Sequence, residues 1–499
     1  MELSFFGGVG EIGGNKILLQ DGKTWVFLDF GLSFSQLGSY YDAYLHARGF
    51  AAIDEYVSLG LLPNVSGLYR EDLLSHVSPS HPLMDGGHGR AAEAVIVSHA
   101  HLDHVGMIPY LRPDIHLMGS ETTHRILSYL QDTSDGYNSE FCYWYPSFKL
   151  VPMKRSRDLK RASRSDVENE RVERKYVTLP RGNAQRIGSV EVLAYEVDHS
   201  LPGANAYILR TSSGTIAYTG DMRFHGYSSH ATNEFVRALE NDKVKVLLCE
   251  GTRAPEDSGF SEESLKDRLI AVIEDRKNLV LANYPARDTS RILTISSAAK
   301  ACGRKLLVNP MQAYYLHHLA GCSDASLPSK NDIQVLLPRR GWGIWGNPSY
   351  DPKNQREDYS RSYPDEVLDY ILEKCVLVTP KEVANAQDQF VVTCSFYELN
   401  MLHDLKPMQG SCYVWSLSEP FDDEGVIEYD RVKNWLDHFG LGEPVPMHCS
   451  GHMCGKEIEQ LIDRVNPEVV VPIHTQQPDL FKKWHKNVKV LQRNGVLQV

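Results

Sequence analysis

The segment Ser98-His99-Ala100-His101-Leu102-Asp103-His104 places three imidazoles and one carboxylate within six consecutive positions, directly after the apolar run Ala94-Val95-Ile96-Val97. Nitrogen and oxygen donors packed this densely are borderline ligands suited to Zn²⁺, with Mn²⁺ and Fe²⁺ as alternatives. Histidines scattered over a surface would not gather behind a strand in this way. Three more donors sit at the ends of strand-like runs: His199 after residues 191–197, Asp221 after 215–218 and His474 after 469–473. A lone histidine at a strand end is usually structural, but three such donors beside a dense cluster reverse that reading. The count suits two ions. His99, His101 and His199 can hold one, Asp103, His104 and His474 the other, and Asp221 can bridge them. Two divalent ions about 3.5–4 Å apart lower the pKa of a shared water and clamp both oxygens of an in-line displacement. Hydrolysis of a phosphodiester is a natural use of such a site.

The elements that must position these donors read as follows. Strands at 3–6, 16–19 and 24–30 flank Gly8, Gly10 and Gly13, which formally match G-x-G-x-x-G. That fingerprint needs a helix to follow, and here a strand follows, so dinucleotide binding is rejected. The glycines instead make a tight turn that brings backbone close to a ligand site. The apolar stretch after His104 (Val105, Met107, Ile108, Tyr110, Leu111) reads as a helix leaving the cluster. Residues 38–89 form an irregular, partly helical insertion, and a second insertion spans 134–175. Residues 154–175 carry nine Lys/Arg against five Asp/Glu, the pattern of a solvated helix or mobile arm, with an RNA-contacting arm as the alternative. From Lys243 strands and helices alternate: strands at 244–249, 279–282, 305–308, 334–337, 376–378, 390–393 and 412–415, with helices at 262–277 and 289–301. This βαβ rhythm implies a parallel sheet. Residues 351–363 read as a polar loop. The chain closes with a strand at 445–447, a helix from Lys456, the strand 469–473 and a short strand pair near 488–499.

Composition sets outer limits. A chain of 499 residues can bury more than one core. The net charge of −12 tells against phosphate binding by the whole surface but leaves a local nucleic-acid channel open. No run of 18 apolar residues occurs, so no transmembrane helix is expected. The N-terminus lacks a basic region and cleavage site, so no signal peptide is expected. Nine cysteines, an odd number, fit reduced thiols and a cytoplasmic location.

His99-x-His101-x-Asp103-His104, His199 and Asp221 in Tyr218-Thr219-Gly220-Asp221 match, in order, the motifs of the metallo-β-lactamase superfamily. The start Gly7-Gly8-Val9-Gly10-Glu11-Ile12-Gly13-x-Asn15, with Leu28-Asp29-Phe30-Gly31-Leu32, resembles the ribonuclease J group of β-CASP nucleases. The resemblance implies an α/β fold: a metallo-β-lactamase αββα sandwich in residues 1–250 and 442–499, with an inserted β-CASP α/β domain at 251–441 capping the site. It aligns Glu250, His452 and His474 with three acid and histidine motifs of that group, and implies two Zn²⁺ (Mn²⁺ as alternative) held by the seven donors, with Asp103 both ligand and catalytic. Phosphodiester cleavage needs a proton donor for the leaving oxygen. His452 fits that role, with Glu250 orienting it. His448, Cys449, His452 and Cys454 also allow a separate zinc knuckle.

Several residues depart from the group's pattern. Glu250 is followed by Gly-Thr-Arg rather than Asp-Ser-Thr, resembling the enzymes that process mRNA 3′ ends. His474 is followed by Thr475-Gln476, not Gly-Glu. The stretch Val392-Thr393-Cys394-Ser395-Phe396-Tyr397 lacks the glycines expected of a 5′-phosphate pocket, which leaves Arg287 and Arg291 as the phosphate-binding candidates. His474 resembles the RNA-acting members rather than the DNA-repair members. The chain ends 25 residues after His474, so the C-terminal domain of many bacterial members is expected to be absent. The resulting expectation is a ribonuclease, 5′-to-3′ exonuclease or endonuclease or both, acting on single-stranded RNA, with no membrane partner and compatible with a homodimer. The competing readings are a DNA nuclease of the same fold, a hydrolase of small esters or thioesters, and a non-catalytic RNA-binding subunit.

Overall fold

The computed structural model describes residues 1–42, 44–48, 52–75, 77, 81–84, 91–134, 143–147, 150–154, 159–161, 171–339, 356–360, 362–418 and 423–499. Alternating apolar residues build the first layers. In the strand Val190–Glu196, Val192 and Ala194 face one core and Leu193 the opposite one, the two-residue period of a sheet covered on both sides. The first sheet runs in the spatial order Tyr176–Thr178, His116–Gly119, Ala94–Ile96, Thr24–Leu28, Lys16–Asp21, Glu2–Gly7, Gly495–Gln498. The second runs Ala184–Ile187, Val190–Glu196, Asn205–Thr211, Gly214–Tyr218, Val244–Glu250, Val469–Ile473. Leu3, Phe5, Ile17, Val26, Ile96, Tyr207, Tyr218 and Val471 pack between them. Helix Glu121–Thr133 covers the outside of the first sheet through Ile126, Leu127 and Leu130. Helices Ser229–Glu240 and Gly455–Val465 cover the second through Phe235, Val236, Ile458 and Leu461. The result is the expected helix–sheet–sheet–helix sandwich.

The third sheet, in the order Leu377–Val378, Ile333–Leu336, Lys305–Val308, Phe390–Thr393, Val280–Asn283, Cys412–Trp415, Val445–Pro446, is parallel at every pairing. Its strands are near-continuous apolar runs because helices cover both faces. The last of them, Val445–Pro446, lies beyond residue 441, so the inserted sheet draws on the returning chain.

Four expectations need correction. The helix leaving the ligand cluster is one turn, Leu102–Val105, followed by a 3₁₀ turn at Ile108–Tyr110; the Met107 amide bonds the Phe30 carbonyl, and the Asp103 and His104 carbonyls accept from Asn15 and Phe30, so the helical ladder ends there, and Pro109 has no N–H to resume it. The terminal strand pair is a single strand, Gly495–Gln498, which pairs with Glu2–Gly7, while Val488 makes only an isolated bridge to Val470. In the basic insertion the described residues form strands rather than a helix. Leu159–Arg161 pairs with Leu150–Pro152 and Arg171–Glu173 with Trp144–Pro146, where the Arg171 guanidinium lies 4.5 Å over the Trp144 ring. Residues 155–158 and 162–170 of that insertion lie outside the described residues, as do 85–90, 135–142, 351–355 and 361. Where a polar loop was expected over 351–363, the described residues include a helical turn, Arg356–Tyr359. No helix among the described residues is long and apolar enough to cross a membrane.

Candidate metal centre

Parallel pairing sets the site's geometry. Gly214–Tyr218, Val244–Glu250 and Val469–Ile473 are neighbours running the same way, so Asp221, Glu250 and His474 leave the sheet at one end. Ala94–Ile96 of the facing sheet delivers residues 98–104 to the same end. The N-terminal glycine turn closes over them. Gly13, at φ +76°, lies so near Asp103 that a Cβ would stand 2.6 Å from its Cβ and Oδ2, and Gly8 accepts from the His474 amide at 2.7 Å. The expected approach of backbone to a ligand site is therefore real, and it needs glycine.

The donors converge in two groups, His99, His101, His199 and Asp221, then Asp103, His104, Asp221 and His474, with ligand atoms in each group within 4.8 Å of one another. Asp221 is common to both. In the first, His101 Nδ1 lies 2.9 Å from His99 Nε2 and 3.2 Å from His199 Nε2, and Asp221 Oδ2 lies 3.7 Å from His99 Nε2. In the second, Asp221 Oδ2 is 3.1 Å from His104 Nε2 and 3.6 Å from His474 Nε2, and Asp103 Oδ2 is 3.1 Å from His474 Nε2. Ligands about 2.0–2.1 Å from a tetrahedral zinc ion stand about 3.3 Å apart. These spacings straddle that value.

Charge and protons also favour a cation here. One proton on His101 Nδ1 can serve only one of the two nitrogens that face it. Burial first, then the neighbouring imidazoles, pushes His99 and His199 well below the usual histidine range, and burial takes His101 down to about 4. Burial acts the other way on Asp221, yet His104 and His474 outweigh it and hold the carboxyl well below its ordinary value. Burial opposes protonation of His104 too, but Asp221, Asp103 and Asp29 raise it well above the usual range. The carboxylates that would hold a proton there can hold a metal ion instead. Asp221 Oδ1, buried without a hydrogen-bond partner among the described residues, is an acceptor awaiting such a charge. The donor set therefore fits metal ions.

Beside the two groups stand Glu250 and His452, 3.3 Å apart between Oε1 and Nδ1, with His452 Nδ1 3.9 Å from Asp221 Oδ2. Glu250 is fully buried and accepts from the amides of Met222, Thr252 and Met453. Burial works against a charge on His452, but Glu250 and then Asp221 raise it to about 9.

Sequence reasoning missed the residues that aim the ligands. Asp29, at φ +56°, accepts from His104 Nδ1 at 2.7 Å, from Tyr218 at 2.5 Å and from the Ser98 amide at 2.6 Å. Thr252 Oγ1 contacts His474 Nδ1 at 2.8 Å, and the Gly451 carbonyl accepts from His199 Nδ1 at 2.7 Å. Such partners fix which imidazole nitrogen faces a metal. Asp29 had a signal, an acid at a strand exit; the Gly451 carbonyl had none.

The two candidate phosphate ligands part company. Arg287 leaves the inserted sheet after Val280–Asn283 and is close enough to His101 to act on it electrostatically. Arg291 is fully buried: it donates to Glu262 Oε1 at 3.1 Å, the Ser416 carbonyl at 3.0 Å, Ser416 Oγ and the Cys449 carbonyl at 2.7 Å. Its donors are consumed inside the protein, so it is not exposed to a phosphate. The alternative zinc knuckle does not assemble either. Cys449 Sγ donates to the Phe260 carbonyl, Cys454 caps helix Gly455–Val465, and His452 groups with Glu250 and His474.

No family model matches the chain. It is 23% identical over 486 residues to Ribonuclease J of Sinorhizobium meliloti, covering 95% of this chain and 68% of that protein. It is 22% identical over 490 residues to Ribonuclease J of Methanocaldococcus jannaschii, covering 95% and 91%. Ribonuclease J of Mycobacterium tuberculosis is 27% identical over 221 residues, 43% of this chain and 33% of that one. The chain thus spans two thirds of the first relative and one third of the mycobacterial one. The crystal structure of a protein of unknown function from Enterococcus faecalis V583 has the same fold, with a TM-score of 0.69 at 20% identity over 99% of both chains. The resemblance to ribonuclease J-type proteins of the metallo-β-lactamase and β-CASP kind holds along most of the chain.

Proposed function

We propose that this chain, similar along 95% of its length to a ribonuclease J, is a metal-dependent ribonuclease that hydrolyses phosphodiester bonds of single-stranded RNA. The observation that carries the reading is Asp221, one carboxylate shared by two four-donor groups with the Glu250–His452 pair beside it. His99, His101 and His199 would hold one divalent ion, Asp103, His104 and His474 the other, and Asp221 both, with zinc the best match to the donors. When bound, such ions supply a water of lowered pKa and neutralise charge developing on the phosphoryl oxygens.

The protein's own groups do the rest. Glu250, fixed by three backbone amides, receives His452 Nδ1–H and turns the opposite ring edge toward the substrate, where it gives the leaving oxygen its proton. Arg287 supplies a cation for a substrate phosphate from the inserted domain. Asp29 and Thr252 keep His104 and His474 in their ligand tautomers. The test is to incubate metal-loaded protein with end-labelled RNAs carrying 5′-hydroxyl, monophosphate or triphosphate, beside single-stranded DNA. Release of mononucleotides from the 5′ end identifies an exonuclease, and discrete internal fragments an endonuclease. Cleavage of DNA alone, or of neither polymer, overturns the reading.

A further inference from the structure

The segment Met447–His452 returns the chain from the inserted domain to the metal centre, and side chains from both sides grip its carbonyls in succession. Ser416 Oγ donates to the Met447 carbonyl and Arg291 Nη2 to that of Cys449 at 2.7 Å, both from the inserted domain. Arg223 Nη1 donates to the Ser450 carbonyl at 2.9 Å, His225 Nε2 faces the same oxygen at 3.0 Å, and His199 Nδ1 holds that of Gly451 at 2.7 Å, all three from the metal-binding sandwich. The two guanidinium groups meet on one buried carboxylate: Glu262 Oε1 is 3.1 Å from Arg291 Nη2 and 3.3 Å from Arg223 Nη1. Arg291, Arg223 and Glu262 are each fully buried. Arg223 is anchored in turn by Asp198 at 3.1 Å and stands two residues after Asp221.

We propose that Arg291 and Arg223, joined through Glu262, are positioning residues for His452, so that the seating of the inserted domain on the sandwich sets where the proton donor stands. Two buried arginines are expensive to desolvate; Arg291 spends its donors on Glu262, Ser416 and Cys449, while Arg223, whose Nη2 has no hydrogen-bond partner among the described residues, is held by the charges of Glu262 and Asp198. A packed apolar contact would join the domains as well, but it would leave the loop carbonyls unpaired and the loop free to shift. A guanidinium fork reaches two carbonyls and a carboxylate in one plane, which an ammonium cannot do.

The inference rests on the reading of His452 as proton donor, and leaving-group dependence separates the two. A p-nitrophenyl phosphodiester has a leaving group that needs no proton, whereas an RNA leaving oxygen does. Arg291→Lys keeps the charge beside Glu262 but loses the fork, and Ser416→Ala removes one hydroxyl from the chain of contacts and leaves all charges in place. Each is expected to lower kcat on RNA about 10- to 100-fold, with a far smaller loss on the p-nitrophenyl diester, little change in KM and unchanged metal content. His452→Ala should show the same selectivity, more strongly. If His452→Ala loses both substrates equally, the proton-donor reading fails. If His452→Ala is selective while Arg291→Lys and Ser416→Ala depress both substrates alike, or neither, the positioning role is overturned.

Discussion

Asp221 Oδ2 lies 3.1 Å from His104 Nε2, while the other oxygen of the same carboxylate is buried with no hydrogen-bond partner among the described residues. An acid so placed is tolerated only if a cation completes it, because an unpaired buried charge is costly. We predict that Asp221→Asn keeps the fold but lowers bound metal and cuts RNA hydrolysis roughly a thousandfold or more, the several kcal/mol that metal-borne charge contributes at a phosphoryl group. Metal analysis, circular dichroism and turnover would be measured together; wild-type turnover in the folded variant refutes the site. His101→Ala should behave alike.

Gly13 tests the claim that the N-terminal turn serves the ligands. Its φ of +76° disfavours a side chain, and the Cβ it lacks would collide with Asp103. Gly13→Ala is expected to cost about 1–3 kcal/mol of backbone strain and to displace the Asp103 carboxylate. The melting temperature should fall and metal stoichiometry should drop toward one ion per chain. Gly10→Ala is the control: Gly10 also has positive φ, but its Cβ would meet no atom of the described residues within 4 Å. Equal metal loss in both variants would mean that strain, not contact with Asp103, is responsible.

The convergence of the seven candidate donors was legible in the sequence because they follow apolar runs that read as strands, and ligand chemistry allows few residue types. The parallel third sheet was legible for the same reason, its strands being buried on both faces. What was not legible depends on long-range contact. Arg291 opens a helix near a loop and reads as a phosphate ligand; only the fold reveals that Glu262, Ser416 and Cys449 consume its donors. The carbonyl of Gly451, which aims His199, has no side chain to read. The helix expected after His104 stops after one turn because backbone of Phe30 and Asn15 takes the hydrogen bonds it would need, a long-range contact again; only Pro109, which bars its resumption, was visible in the sequence.

Glu262 makes the domain junction sensitive to acid. Burial alone would raise its carboxyl, but Arg291 and then Arg223 bring it down to about 2 from 4.5. A carboxyl lowered on folding adds stability that is complete above its unfolded value and disappears as pH falls through the folded one. The gap corresponds to on the order of 3 kcal/mol. Urea midpoints of the wild type should therefore decline as pH drops from 4.5 toward 2. Glu262→Gln should be less stable by about 3–5 kcal/mol at neutral pH, since two buried arginines lose their shared partner. Its decline over the acid window should be correspondingly shallower. Parallel wild-type and variant slopes would assign acid lability to other carboxylates.

Arg287 and Arg291 are four residues apart and should fail in different ways. Arg291 is sealed in the junction, whereas Arg287 is partly exposed, has its backbone fixed by a hydrogen bond from the Tyr315 hydroxyl to its carbonyl at 3.1 Å, and acts on His101. A cation that meets a substrate phosphate contributes to binding before the bond breaks, so its loss appears mainly in KM. Arg287→Ala is expected to raise KM for RNA about tenfold, with kcat and metal content nearly unchanged. The salt dependence should weaken as well: each phosphate contact on a single strand contributes a slope of about 0.7 in log affinity against log salt concentration, and the variant should lose about one such increment. Measuring KM across a salt series for both proteins decides it. A fall in kcat with an unchanged salt slope would place Arg287 with Arg291 among the residues that hold the centre in shape, rather than with those that hold the RNA.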